Sequence, residues 1–239
     1  MKRILGVILV VYSIWITSCE DSNSPNYGTI EIKSEIINPH VSIIKDQITK
    51  DHSIQLNEVD SIKSIYVRIL ISEIKLHPTK NDENNGKLIK DGPFLYSILN
   101  ETNEQIQTSF SHSIETGIYE KIKFEIHRFS TSELSNYQNV PEFKDFATNE
   151  RYSIIITGKK FKDNKSTDFT YFSNVTANLS FNFDTPIEIK EGTKQTLAIQ
   201  IDPLQVFKKS GSILDPTNPK NFSDIENAIK QTIKVVKKS

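Results

Sequence analysis

The chain has 239 residues, with 29 lysines and arginines against 30 acidic residues, and a single cysteine. Near-neutral charge offers no electrostatic footprint for nucleic acid or anionic headgroups, and one cysteine excludes an internal disulfide. A chain of this length can bury about 70% of its unfolded surface in one core, or divide into two small domains.

Lys2 and Arg3 precede an apolar run from Ile4 to Ile16. The run is too short to span a bilayer comfortably and has the length of a signal-peptide h-region. Ile16-Thr17-Ser18-Cys19 follows directly, an aliphatic residue and two small ones ahead of the lone cysteine. The arrangement resembles the bacterial lipobox. In lipoproteins with that motif the thiol receives diacylglycerol, the chain is cut before the cysteine, and the new amino group is usually acylated. Cleavage is therefore expected between Ser18 and Cys19, with residues 1–18 as leader. The competing reading is an ordinary secretory leader with an incidental cysteine. Losing Lys2 and Arg3 leaves 27 basic residues against 30 acidic ones, a net charge of −3. Residues 19–26 then form a lipidated tether. Its polar part, Glu20 to Asn26, reaches roughly 25 Å when fully extended, so the folded body is held close to the membrane.

A β-sandwich body is expected over 27–207. Tyr27 to Ile37 alternates, with Ile30, Ile32 and Ile36 on one side and Glu31, Lys33 and Glu35 on the other, as in a half-buried strand. Ile65, Val67, Ile69 and Ile71 share one parity, whereas Ile74 and Leu76 share the other. That flip predicts a bulge or bend near Ser72. Pro78 ends the run and a polar hairpin-like loop follows at 79–87.

The segment GPFLYSIL (92–99) is followed by TGIYEKIKFEI (116–126), which places Ile118, Ile122, Phe124 and Ile126 on one face. Residues 130–150 lose the alternation and contain Pro141, so they read as an inserted surface loop with one helical turn. Strands resume at 151–161, 169–183 and 187–202. The extension 208–239 changes period. Ser223 and Glu226 are spaced as a capping box, and Ile225, Ala228, Ile229, Ile233 and Val236 recur at helical spacing, predicting an amphipathic helix over 223–237. Many strands plus one terminal helix indicate a mainly β fold, a sandwich with a C-terminal α-helix packed on it.

No sequence constellation points to catalysis. The five histidines, His40, His52, His77, His112 and His127, show no paired-ligand spacing. Ser111 and Ser113 flank His112, but no G-x-S-x-G elbow is present, and neighbours on a strand face opposite ways. The eight glycines are scattered, with no phosphate-binding loop, and no cofactor is expected. The weak candidates for a metal are Asp215, Asn218, Asn221 and Asp224, hard oxygen ligands that calcium would accept. Their spacing is not that of an EF-hand, and Pro216 and Pro219 already account for a rigid turn there.

The order of SIKSIYVRILISEIKL (61–76), LYSIL (95–99) and TGIYEKIKFEI (116–126) resembles the bacterial lipoprotein domain-of-unknown-function family 4382. Gly117, Tyr119, Ile122 and Ile126 stand at the matching places of its G-x-Y strand, with Lys123 where the family often has arginine. EGTKQTLAIQID (191–202) is similar to its closing strand. The resemblance covers about 29–205 and implies a prealbumin-like, or transthyretin-like, β-sandwich anchored in the cell envelope, with no catalytic residues to transfer. The 130–150 insertion and the 208–239 extension depart from it.

The expectation is a lipid-anchored, non-catalytic binding or scaffolding protein of the bacterial envelope, at the outer membrane, with a membrane, envelope-protein or glycan partner. The alternative, ahead of an enzyme, is a surface glycan- or peptide-binding lipoprotein. That reading needs exposed aromatics on one loop face, for which Tyr137, Phe143, Phe146, Tyr171 and Phe172 are the candidates.

Overall fold

A computed structural model describes residues 26–37, 43–44, 59–81, 84–90, 92–100 and 109–238. Cys19 and most of the expected tether lie outside the described residues.

Tyr96, buried in the core, ties together two sheets. Its hydroxyl donates toward the carbonyls of Glu35 at 3.4 Å and Ile199 at 3.3 Å. The smaller sheet holds β1 (Tyr27–Ile36) between β6 (Ser109–Glu115) and a parallel partner, β11 (Lys194–Ile201). The larger sheet is organised by β3 (Ser61–His77), seventeen residues long. One edge of β3 carries β2 (Ile43–Ile44), β5 (Phe94–Asn100) and β4 (Lys87–Lys90). The opposite edge pairs first with β8 (Ile154–Lys162) and then with β7 (Gly117–Ile126). Outside those two lie β9 (Lys165–Ser173) and β10 (Ala177–Ile189). The protein is thus mainly β and sandwich-like, with a small hairpin of β12 (Lys208–Lys209) and β13 (Ser212–Ile213) beyond the sheets.

The parity flip in β3 is a bulge. Register with β7 shifts between Ile71 and Ile74, so Ile65, Val67, Ile69, Ile71, Ile74 and Leu76 are all buried. The expected parity of β7 holds for Ile122, Phe124 and Ile126 but fails at its start. Tyr119 is buried there and Ile118 is 57% exposed. The cause is visible in the partner strand. Register with β10 slips between Asn182 and Ile187, beside Asp184 and Pro186, and turns the first residues of β7 over.

The 130–150 segment is a cover with its own core, not a loop lying on the surface. It leaves and re-enters the sheet at one residue: Leu70 accepts from the His127 amide at 2.9 Å and donates to the Ser153 carbonyl at 2.8 Å. Inside it, α1 (Leu134–Tyr137) and successive turns place Phe143, Phe146 and Ala147 against Leu70, Leu95 and Ile155. Those three strand residues point away from the main core and would otherwise face water.

The C-terminal helix is shorter than its periodicity predicts. Helix α2 (Phe222–Thr232) stops where Ile233 turns extended, and β14 (Lys234–Lys238) continues as an edge strand antiparallel to β11. The β-branched residues Ile233, Val235 and Val236 favour strand, and β11 offers an unpaired edge. Ile225 and Ile229 are fully buried and Ile233 nearly so, which docks the helix on its own sandwich. The expected capping box is not formed. Glu226 Oε1 accepts from Ser173 Oγ at 2.6 Å, and the chain enters the helix through a 3₁₀ turn, Pro219–Asn221. Asn218 caps that turn, accepting from the Lys220 amide at 3.1 Å with Pro219 at the first position.

Candidate functional site: a polar cleft at the β8–β9 turn

Strands β8 and β9 are joined by Asp163 and Asn164, whose φ angles of 49° and 62° form a tight two-residue turn. The turn fixes Lys162 and Lys165 as direct cross-strand partners. Like charges placed opposite one another destabilise a ladder, and neither lysine has an ion-pair partner among the described residues. The turn is anchored by the Asp163 amide, which donates to Asp60 Oδ2 at 2.8 Å.

Between this tip and the 214–218 loop lies a cleft of about 550 Å³, lined by Val59, Lys160, Lys162, Lys165, Thr167, Asp215 and Thr217 among others. Its inner wall is a closed ion pair. Lys160 Nζ donates to both carboxylate oxygens of Asp215 at 2.8 Å and to Thr217 Oγ1 at 2.6 Å. The Thr217 amide and hydroxyl also donate to Asp215 Oδ1, each at 2.8 Å. Burial alone would raise the Asp215 pKa, but Lys160 and Thr217 outweigh it and hold the carboxyl below its usual range. Asp215 is therefore a fixed carboxylate rather than a poised acid. Beyond the closed Lys160–Asp215–Thr217 cluster, the cleft offers a polar ligand the ammonium groups of Lys162 and Lys165, the Thr167 hydroxyl and the exposed Asp163 carboxylate.

The four calcium candidates lie together in sequence, but their side chains are committed elsewhere. Asp215 is held by Lys160, and Asn218 caps the 3₁₀ turn. Asn221 donates from Nδ2 to the Asp215 carbonyl at 3.1 Å, and Asp224 accepts from Lys209 Nζ at 2.7 Å. A cation already stands where the metal would have to draw its charge. Among the described residues no three His, Cys, Asp or Glu side chains group as metal ligands.

The five candidate aromatics do not form an exposed loop face. Phe143, Phe146 and Tyr171 are buried, and Tyr137 stacks on Phe129 at 4.5 Å. Phe172 alone is well exposed, and it stacks on Tyr152 at 4.5 Å. Their apolar character is consumed by packing. Of the histidines, His77 is buried, while exposed His112 lies in β6 between exposed Ser111 and Ser113. The cleft lysines were not singled out from sequence. The available signal was KKFKDNK (159–165), four lysines in seven residues around a turn.

The fold and cleft define a mainly β, sandwich-like protein with a docked terminal helix and a polar surface cleft. No family model and no curated protein matches the chain. Among solved structures, MbnP from Methylosinus trichosporium is similar to it, with a TM-score of 0.43 and 11% identity, covering 90% of this chain and 99% of that one.

Proposed function

We propose that the protein is a lipid-anchored component of the bacterial cell envelope whose sandwich body binds or scaffolds rather than catalyses. The observation that carries this reading is the leader: Lys2-Arg3, a thirteen-residue apolar run, and Ile16-Thr17-Ser18 ahead of the chain's lone cysteine. The order of segments within 29–205 supports a prealbumin-like sandwich as the body. The outer membrane is the proposed address. The cleft supports binding, because its one half-buried carboxylate is neutralised by Lys160. A second reading, glycan or peptide capture, is carried by that cleft rather than by the buried aromatics.

Cell fractionation with clickable palmitate tests the proposal. The intact protein should sediment with membranes and take up label. Cys19→Ala should lose the label and leave the membrane fraction. Equal labelling of both forms would overturn it.

A further inference from the structure

Four large apolar side chains stand out as exposed among the described residues: Ile118 at 57%, Tyr27 at 48%, and Leu88 and Phe172 at 40% each. Phe172 is covered on one side by Tyr152, whereas Tyr27 and Ile118 gather at one end of the sandwich. Tyr27 pairs with Glu115 in register, and the chain crosses from there through Thr116 to Gly117 and Ile118. The Thr116 amide donates to the Asn26 carbonyl at 2.8 Å, and the Gly192 amide to the Tyr27 carbonyl at 3.1 Å. Gly28 sits so close to the β10–β11 turn that an added Cβ would lie 2.5 Å from the Lys190 carbonyl oxygen. Gly117 and Ile118 pair in turn with Ile189 and Glu188. Lys87 of β4 reaches the same end, ion-paired with Glu115 at 2.7 Å.

The charges around these residues cancel locally. Lys87 meets Glu115, and Lys190 meets Glu188 at 3.1 Å. Apart from the exposed Glu191 at the β10–β11 turn, Tyr27 and Ile118 make this end apolar. The position of Tyr27 in the chain says what can cover it. It stands eight residues after Cys19, so an acylated Cys19 can lie no more than about 30 Å away.

The opposite end of the molecule carries the cleft. Lys160 pairs with Ile62 near the start of β3, whereas Lys121, three residues after Ile118, pairs with His77 at its end. Fifteen residues of strand separate Ile62 from His77, on the order of 50 Å.

We propose that the Tyr27–Ile118 end rests on the lipid surface and holds the lysine-lined cleft outward; this inference rests on the anchoring reading above. Contact is by shallow apolar insertion, since a body of net charge near −3 gains nothing from anionic headgroups.

The test uses the protein as its bacterial host processes it, mixed with phosphatidylcholine vesicles that carry brominated acyl chains. Trp15 is the chain's sole tryptophan and leaves with the leader, so each variant carries one reporter. Ile118→Trp and Tyr27→Trp should be quenched at least several-fold more strongly than Phe172→Trp. Phe172 pairs with Ile155, which pairs with Arg68, nine residues of β3 from His77. Equal quenching at all three positions, or none, overturns the orientation. Sedimentation of the same samples keeps the two readings apart. Protein that sediments through Cys19 without selective quenching leaves anchoring intact and refutes the contact. Protein that fails to sediment and carries no acyl group refutes the anchoring as well.

Discussion

Arg68 reaches out of β3 into the 130–150 cover and donates from Nη1 to Asp145 Oδ2 at 2.7 Å. Its guanidinium also lies 5.5 Å from the ring centroid of Phe146, so one long side chain meets the cover through charge and through an aromatic face, with the Tyr66 ring of β3 itself at the same distance. The ion pair sits at the rim, with Asp145 nearly half exposed, while Phe146 is fully buried beneath it.

The two contributions should separate cleanly in urea unfolding. Phe146→Ala removes a buried ring and should cost about 3–5 kcal/mol. Asp145→Ala removes half of a partly exposed pair and should cost within about 1 kcal/mol. Equal losses would mean that the cover is held by charge.

The terminal helix makes a similar contrast. Ile229→Ala should cost about 2–5 kcal/mol because the side chain is fully buried in the main core. Asn218→Ala removes the cap of the entry turn and should cost about 0.5–2 kcal/mol. Ser223→Ala should stay within about 0.5 kcal/mol, since no side-chain cap forms at the helix start. A loss at Ser223 matching that at Asn218 would restore the capping box.

Much of this was legible in the alternation of apolar residues. In β3 the flip at Ser72 announced the bulge because each face of a strand must keep its own side. The cover was missed, although a sign of it was present: Ile69-Leu70-Ile71 and Ile154-Ile155-Ile156 run apolar without alternation. A strand read that way is buried on both faces. Phe143 and Phe146 supply the second layer from within a polar, proline-containing stretch that carries no period of its own. At Ile118 the error had another source, a slip in the distant partner strand β10 that no local pattern records. The helix end was hidden by coincidence. Ile233 and Val236 continue the helical spacing while belonging to a strand recruited by the edge of β11.

Two buried phenols should set an alkaline limit on stability. Burial pushes the Tyr96 pKa well above the ordinary tyrosine value; its bond to the Glu35 carbonyl opposes this and the Glu35 carboxylate adds to it. Burial raises Tyr171 likewise, helped by the charge of Glu226. The folded chain then keeps protons that the unfolded chain has lost. That stabilisation is fully present below about pH 10 and erodes as pH rises beyond it. Urea midpoints should fall between about pH 9 and pH 11, and Tyr96→Phe should flatten the fall. A midpoint independent of pH in both proteins would contradict the buried phenol.

Limited proteolysis should find the β8–β9 turn at Asp163 and Asn164 before the cover, because those residues are exposed while Phe143, Phe146 and Ala147 are buried. A first cut between 143 and 147 would return the segment to a loose surface loop.

The central claim is the anchor at Cys19, and the mass of the mature amino terminus tests it most directly. Protein purified from membranes and digested should yield a terminal peptide that begins at Cys19 and carries diacylglycerol on the thiol, with its amino group acylated or free. A mature chain that begins elsewhere, or begins at Cys19 with an unmodified thiol, would contradict the account.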